Sequence, residues 1–92
     1  MSYIWDSDKN ASNIQKHGIS FEIASRVFED PYRVELYDYE HSDDEERYIS
    51  IGMVRKVIFV VYTYREENIR IISARFATEK EREIYYGYNN SI

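Results

Sequence analysis

The chain has 92 residues, a net charge of −5, no cysteine, and 43% hydrophobic and 16% aromatic residues. That length fits one domain over 1–92 with one modest core, and the composition argues against wholesale disorder. The lack of cysteine excludes disulfides and thiolate metal sites; no basic start and apolar run open the chain, and its longest apolar run, VIFVVY at 57–62, is far short of the roughly 20 residues that cross a bilayer, so a soluble cytoplasmic protein is expected.

YIWD at 3–6 reads as a short strand. Asp6 or Ser7 then offers an N-cap for a helix through His17, with Gly18 placed to end it. Ser20 caps a second helix, in which Phe21, Ala24, Val27 and Phe28 follow helical spacing until Asp30-Pro31 stops it. Four strand-like runs follow at 32–37, 47–53, 56–64 and 68–76, the third apolar on both faces as a central strand would be. Their links are short enough for hairpins, which makes the region a meander. Thr78 and Glu81 form a capping box for a final helix, with Gly87 and the Asn pair expected to end it. The order gives an α+β fold: a mainly antiparallel sheet, two N-terminal helices and one C-terminal helix, the helices expected against one side of the sheet.

The acidity is local. Residues 35–46, ELYDYEHSDDEE, hold seven acids and no Lys or Arg, whereas from Arg47 onward eight bases face five acids. The second half can therefore present a positive face to a phosphate.

Arg70 and Arg75 lie on a strand that otherwise reads as core. Strict alternation would point them to opposite faces, one solvated or ion-paired with a helix carboxylate, the other in a cleft. The plainer reading of both is surface ion pairing, which is common and worth little. In KHG at 16–18, His17 suits proton exchange near neutral pH and Lys16 could hold a phosphate oxygen, yet both residues also suit a helix C-terminus. His41 lies in an acidic loop where it could pair with a carboxylate, but the spacing matches no specific metal loop. Of ten tyrosines, Tyr62, Tyr64, Tyr85, Tyr86 and Tyr88 could stack bases or meet a protein partner, or simply serve the strands. No Gly-rich phosphate loop, nucleophile elbow or zinc-binding helix pair is present.

Together WD at 5–6, Lys9, Asn13, KHGISF, VFEDP, HSDDEERYISIG, VVYTYR and RIISARFATEKEREIYY resemble the BrnT family of toxins from bacterial type II toxin–antitoxin pairs. The resemblance implies a RelE-like fold and a small ribonuclease that cuts RNA and inhibits translation. It also implies a BrnA-like antitoxin with a ribbon-helix-helix domain, which masks the toxin and through which the pair meets DNA. Lys16, His17, Glu46, Arg47, Arg65, Arg70, Arg75 and Arg82 match the family's polar motifs, while Phe76 and Glu79 stand where a more basic stretch is expected. A cofactor-free, metal-free cleavage would use the RNA's own 2′-hydroxyl, with Arg75, Arg65 and Lys16 stabilising charge, His17 as proton carrier and Tyr62 as a weaker candidate. Arg47, Arg70, Arg82 and Tyr62 would bind RNA, with Arg70 alternatively locking the final helix through Glu79, Glu81 or Glu83. The alternative function is a non-catalytic partner-binding or RNA-binding module acting in operon co-repression.

Overall fold

A computed structural model describes residues 2–90. Its elements are β1 (Tyr3–Ile4), α1 (Ser7–His17), α2 (Phe21–Ser25) running into a 3-10 turn (Arg26–Glu29), β2 (Val34–Tyr37), β3 (Tyr48–Val54), β4 (Lys56–Arg65), β5 (Asn68–Phe76) and α3 (Glu79–Asn90). The five strands form one sheet in the order β1-β5-β4-β3-β2. All pairings are antiparallel except β1 with β5, which is parallel.

The caps explain where α1 and α2 begin. The Asp6 carboxylate accepts from the Asp8 and Lys9 N–H groups, and the Ser20 hydroxyl accepts from the Ile23 N–H. Gly18, at φ 72°, ends α1 in the left-handed region that a side chain disfavours. Helix α3 runs through Gly87 to Asn90 instead of stopping at the glycine. Asn89 Nδ2 ties this last turn by donating to the carbonyls of Tyr85 and Tyr32.

The expectation that all helices cover one side is corrected. Ile58, Val60 and Tyr62 of β4 pack with Ile19, Phe21, Ala24 and Val27 of the α2 region. On the other face Val57, Ile51 and Val34 pack with Ala77 and Tyr85 of the α3 segment. A strand apolar on both faces needs cover on both, and β4 obtains it from helices at opposite ends of the chain. Gly52 permits the close approach of the 3-10 turn, since a Cβ there would meet Val27 Cγ1 at 2.7 Å.

Two polar groups, half-buried Asp30 and buried Asn13, join these layers. Asp30 accepts from the Met53 N–H (2.8 Å), the Tyr32 N–H (2.9 Å) and the Tyr85 hydroxyl (2.6 Å), linking the turn before β2 to β3 and α3. Asn13, the buried residue of α1, brackets β5 where β1 no longer pairs with it. Its Nδ2 donates to the carbonyls of Ala74 (2.8 Å) and Ile19 (2.9 Å), and its Oδ1 accepts from the Ala74 N–H (3.1 Å). One side chain thus satisfies both backbone groups at the open edge of a buried strand.

Asn13→Ala should therefore cost about 3 kcal/mol, because it leaves three buried backbone groups without partners. Thermal melting should show Tm lowered by more than about 10 °C for a domain of this size. A variant melting with the wild type would mean that water serves the strand edge equally well.

Candidate functional site

The position of the arginines follows from one irregularity. Strands β4 and β5 pair in register from Arg65↔Asn68 to Tyr62↔Ile71, then resume at Val61↔Ser73, so Ile72 is an extra residue in β5. This β-bulge shifts the alternation by one position. Ile69 and Ile71 before it, and Ala74 after it, all enter the core under α1 and α2. Arg70, opposite Thr63, and Arg75, opposite Phe59, consequently lie on the same face, the one that carries α3. The expected opposition of the two arginines is thereby corrected.

Their contacts also differ from those expected. Arg75 grips α3: Nη1 and Nη2 donate to the two carboxylate oxygens of Glu81 at 2.7 and 2.9 Å, and its guanidinium lies 4.0 Å from the Phe59 ring centroid. Arg70 makes no hydrogen bond or ion pair among the described residues, and its charge is felt by Asp6. Glu81 also closes the capping box, accepting from the Thr78 N–H while its own N–H donates to the Thr78 hydroxyl. Burial pushes the Glu81 carboxyl up, but the hydrogen bonds from Arg75 and Thr78 outweigh it and hold the group below its ordinary 4.5.

Near the other end of that face lie three arginines, Arg47 just before β3, Arg65 on β4 and Arg70 on β5. The β3–β4 ladder ends at Tyr48↔Tyr62, one residue short of Arg47 and Thr63, and Thr63 pairs with Arg70. The Thr63 hydroxyl donates to the Glu46 carbonyl at 2.6 Å and fixes this register. With strands about 4.8 Å apart, the Cα atoms of Arg47 and Arg70 are roughly 10 Å apart. Arg65, two residues along β4 from Thr63, meets Glu45 at 3.3 Å with half its side chain in solvent. The Nε of Arg47 is buried with no hydrogen-bond partner among the described residues.

The acidic loop folds back on this row. Asp38 N–H donates to the Arg47 carbonyl, and the Ser42 hydroxyl accepts from the Arg47 N–H while donating to the Asp38 carbonyl. Asp38 is buried, and its carboxylate holds Nδ1 of His41 at 3.1 Å, leaving that imidazole largely in solvent. His41, Asp43, Asp44, Glu45 and Arg47 line a cavity of 260 Å³. No three His, Asp or Glu side chains among the described residues converge closely enough to hold a metal ion.

The remaining expected residues lie elsewhere. Lys16 and His17 are exposed in the last turn of α1, next to Gly18, which shares a cavity with Phe76 at the far end of β5. That end of β4 is about 30 Å from Arg65 by strand rise, too far for both groups to serve one phosphate. Arg82 donates to the Ala77 carbonyl at 3.1 Å. Tyr62 is 0% exposed, so no base can stack on its ring. Its hydroxyl bonds to Glu35 and Ser50, and burial, with the Glu35 carboxylate, raises it far above the ordinary phenol range. His41 was expected to pair with a carboxylate, and the partner is Asp38, an i, i+3 spacing visible in the sequence.

The Arg75–Glu81 pair should stabilise the fold by about 1 kcal/mol after allowance for its solvent exposure. Because the folded Glu81 value is depressed, that stability is complete above 4.5 and lost as pH falls through the folded value. Glu81→Gln should melt below wild type at pH 7, with the two curves converging in acid. A constant gap down to the lowest pH at which both fold would show that the charge contributes nothing.

No described helix is long and apolar enough to cross a membrane. No curated protein matches the chain. The family model for BrnT, described as the ribonuclease toxin of type II toxin–antitoxin systems, matches residues 5–81, and the α+β order of three helices and a five-stranded mixed sheet agrees with a RelE-like fold. With most of its length matched, the chain belongs to the BrnT family of ribonuclease toxins, whose type II systems pair each toxin with an antitoxin.

Proposed function

We propose that the protein is a metal-independent endoribonuclease that inhibits translation and is neutralised by a ribbon-helix-helix antitoxin. The observation that carries the cleavage site is the row of Arg47 and Arg70 on either side of Thr63, with Arg65 beside it, in which, among the described residues, only Arg65 has a carboxylate partner. A phosphodiester across this row would receive guanidinium donors from β5 and from the residue that precedes β3. Asp43 and Asp44 oppose a phosphate, so binding draws on the arginines of the sheet face and not on the loop.

In the reaction the substrate's 2′-oxygen attacks phosphorus and loses its proton to a base. The 5′-oxygen of the next nucleotide leaves with a proton, and a 2′,3′-cyclic phosphate remains. The arginines stabilise the charge that builds on the phosphorane oxygens. His41 is the proton carrier of this reading, since it shares a cavity with Arg47 and is oriented through Nδ1 by a buried carboxylate. His17 and Lys16, at the opposite end, contact RNA or partner outside the reacting bond. Arg75, engaged with Glu81, positions α3 and does not meet the phosphate.

Cleavage of a defined RNA by purified protein in excess chelator should proceed and yield cyclic phosphate ends. Arg70→Ala should lower the rate by about 10²–10³, as loss of a donor to a developing oxyanion does. His41→Gln should lower it by about 10²–10⁴, while His17→Gln should stay near wild type. The opposite ranking of the two histidines would move the reacting bond to the α1 terminus. A wild-type protein that binds RNA or partner without cutting would support a non-catalytic module instead.

A further inference from the structure

The end of the molecule away from the arginine row has a different character. Gly18, Ile19 and Ile23, together with Val54, Ile58 and Phe76, form the floor of a cavity of 380 Å³. Two large apolar side chains are left in solvent there, Ile23 at 43% and Phe76 at 46% exposure. The rim is cationic: Arg26, Arg55 and Lys56 line it, and Lys16 and His17 precede Gly18. None of these five makes an ion pair among the described residues, although the chain as a whole carries an excess of five negative charges. Lys56 instead sits 5.2 Å from the centroid of the Phe76 ring. Beyond that ridge a second cavity of 270 Å³ shares Arg55, Lys56 and Phe76 and adds Arg82 and Tyr86. The two cavities adjoin across Lys56 and Phe76, and together they present a groove-like surface with an apolar floor and a basic rim.

We infer that this groove is the docking site for an acidic amphipathic segment of the antitoxin. The inference rests on the family's having a protein partner and adds where and by what chemistry that partner is held. Aliphatic or aromatic side chains at i, i+3, i+4 and i+7 of the partner segment fill the floor over Ile23 and Phe76, and carboxylates on its flanks meet the rim. Charge complementarity selects an acidic occupant, since a basic one would face the unpaired cations directly. The apolar floor selects a polypeptide over a nucleic acid: a phosphate backbone would use the rim and leave Ile23 uncovered. The exposed aliphatic and aromatic floor also explains why Phe76 stands where the resemblance led one to expect a basic residue.

The test is a titration of the antitoxin, purified as the full-length chain, into the folded toxin and its variants by calorimetry, with RNA cleavage by the free toxin measured alongside. Ile23→Glu, and separately Arg26→Glu with Lys56→Glu, should each weaken antitoxin binding by at least about 10-fold, as loss of an interface anchor does. Free-toxin cleavage and the melting curves should stay unchanged, because none of these residues lies in the arginine row. Wild-type-like antitoxin affinity in both variants would overturn the docking inference and leave the ribonuclease reading intact. So would a loss of RNA binding in the charge variants with antitoxin affinity preserved, which would make the groove an RNA surface. Failure of the antitoxin to bind even the wild type would remove the partner itself and the inference with it.

Discussion

One extra residue in β5 governs how this molecule presents charge. With Ile72 unpaired, the alternation of β5 slips by one position, and residues of both parities, Ile69, Ile71 and Ala74, reach a single core. The same slip sets Arg70 and Arg75 on one face. In a regular strand one of them would have entered the core beneath α1 and α2, where an unpaired guanidinium carries a severe desolvation cost. The bulge therefore lets an apolar strand carry two arginines without burying either in the helix-covered core.

The strand that holds this irregularity is fixed from both sides. On its outer edge, β1 pairs only with Ile69 and Arg70, and Asn13 takes over at Ala74. On the α3 face, Arg75 stacks on Phe59 and binds Glu81, which simultaneously caps α3. Asp30 performs the corresponding task for β3, joining it to α3 through Met53 and Tyr85. Each is a polar group whose partners come from elements far apart in sequence, and each makes the placement of one layer depend on another.

Much of the fold was legible because it is written in local chemistry. Caps at Asp6, Ser20 and Thr78, the glycine after His17, and the double-faced run at 57–62 each specify an element within a few residues. Three features were not legible. The bulge at Ile72 has no sequence mark, because an isoleucine suits either side of a double-faced strand, and so the arginine faces were misread. The cover of both sheet faces depends on where α3 returns, which strand periodicity does not encode. Tyr62 reads as a base-stacking residue in sequence, yet its ring is core, since only tertiary packing decides which of ten tyrosines is buried. The candidate site was half legible for the same reason. Arg47, Arg65 and Arg70 were candidates from the start, but their placement at one end of the sheet depends on strand register, and His41 draws notice only when Asp38 is seen to hold it.

The result is a small protein with two unlike ends. Arg47 and Arg65 meet the acidic loop at one end, with Arg70 across Thr63 from the loop, and the basic, apolar-floored groove occupies the other. The central claim is that RNA phosphate engages the first end across the sheet face. Arginine side-chain NMR, following Nε–H signals during titration with an uncleavable 2′-O-methyl oligonucleotide, tests it most directly. The signals of Arg47 and Arg70 should move together and saturate at one equivalent, with that of Arg75 held in place by Glu81. Movement confined to Arg26, Arg55 and Arg82, with Arg47 and Arg70 unchanged, would contradict the account.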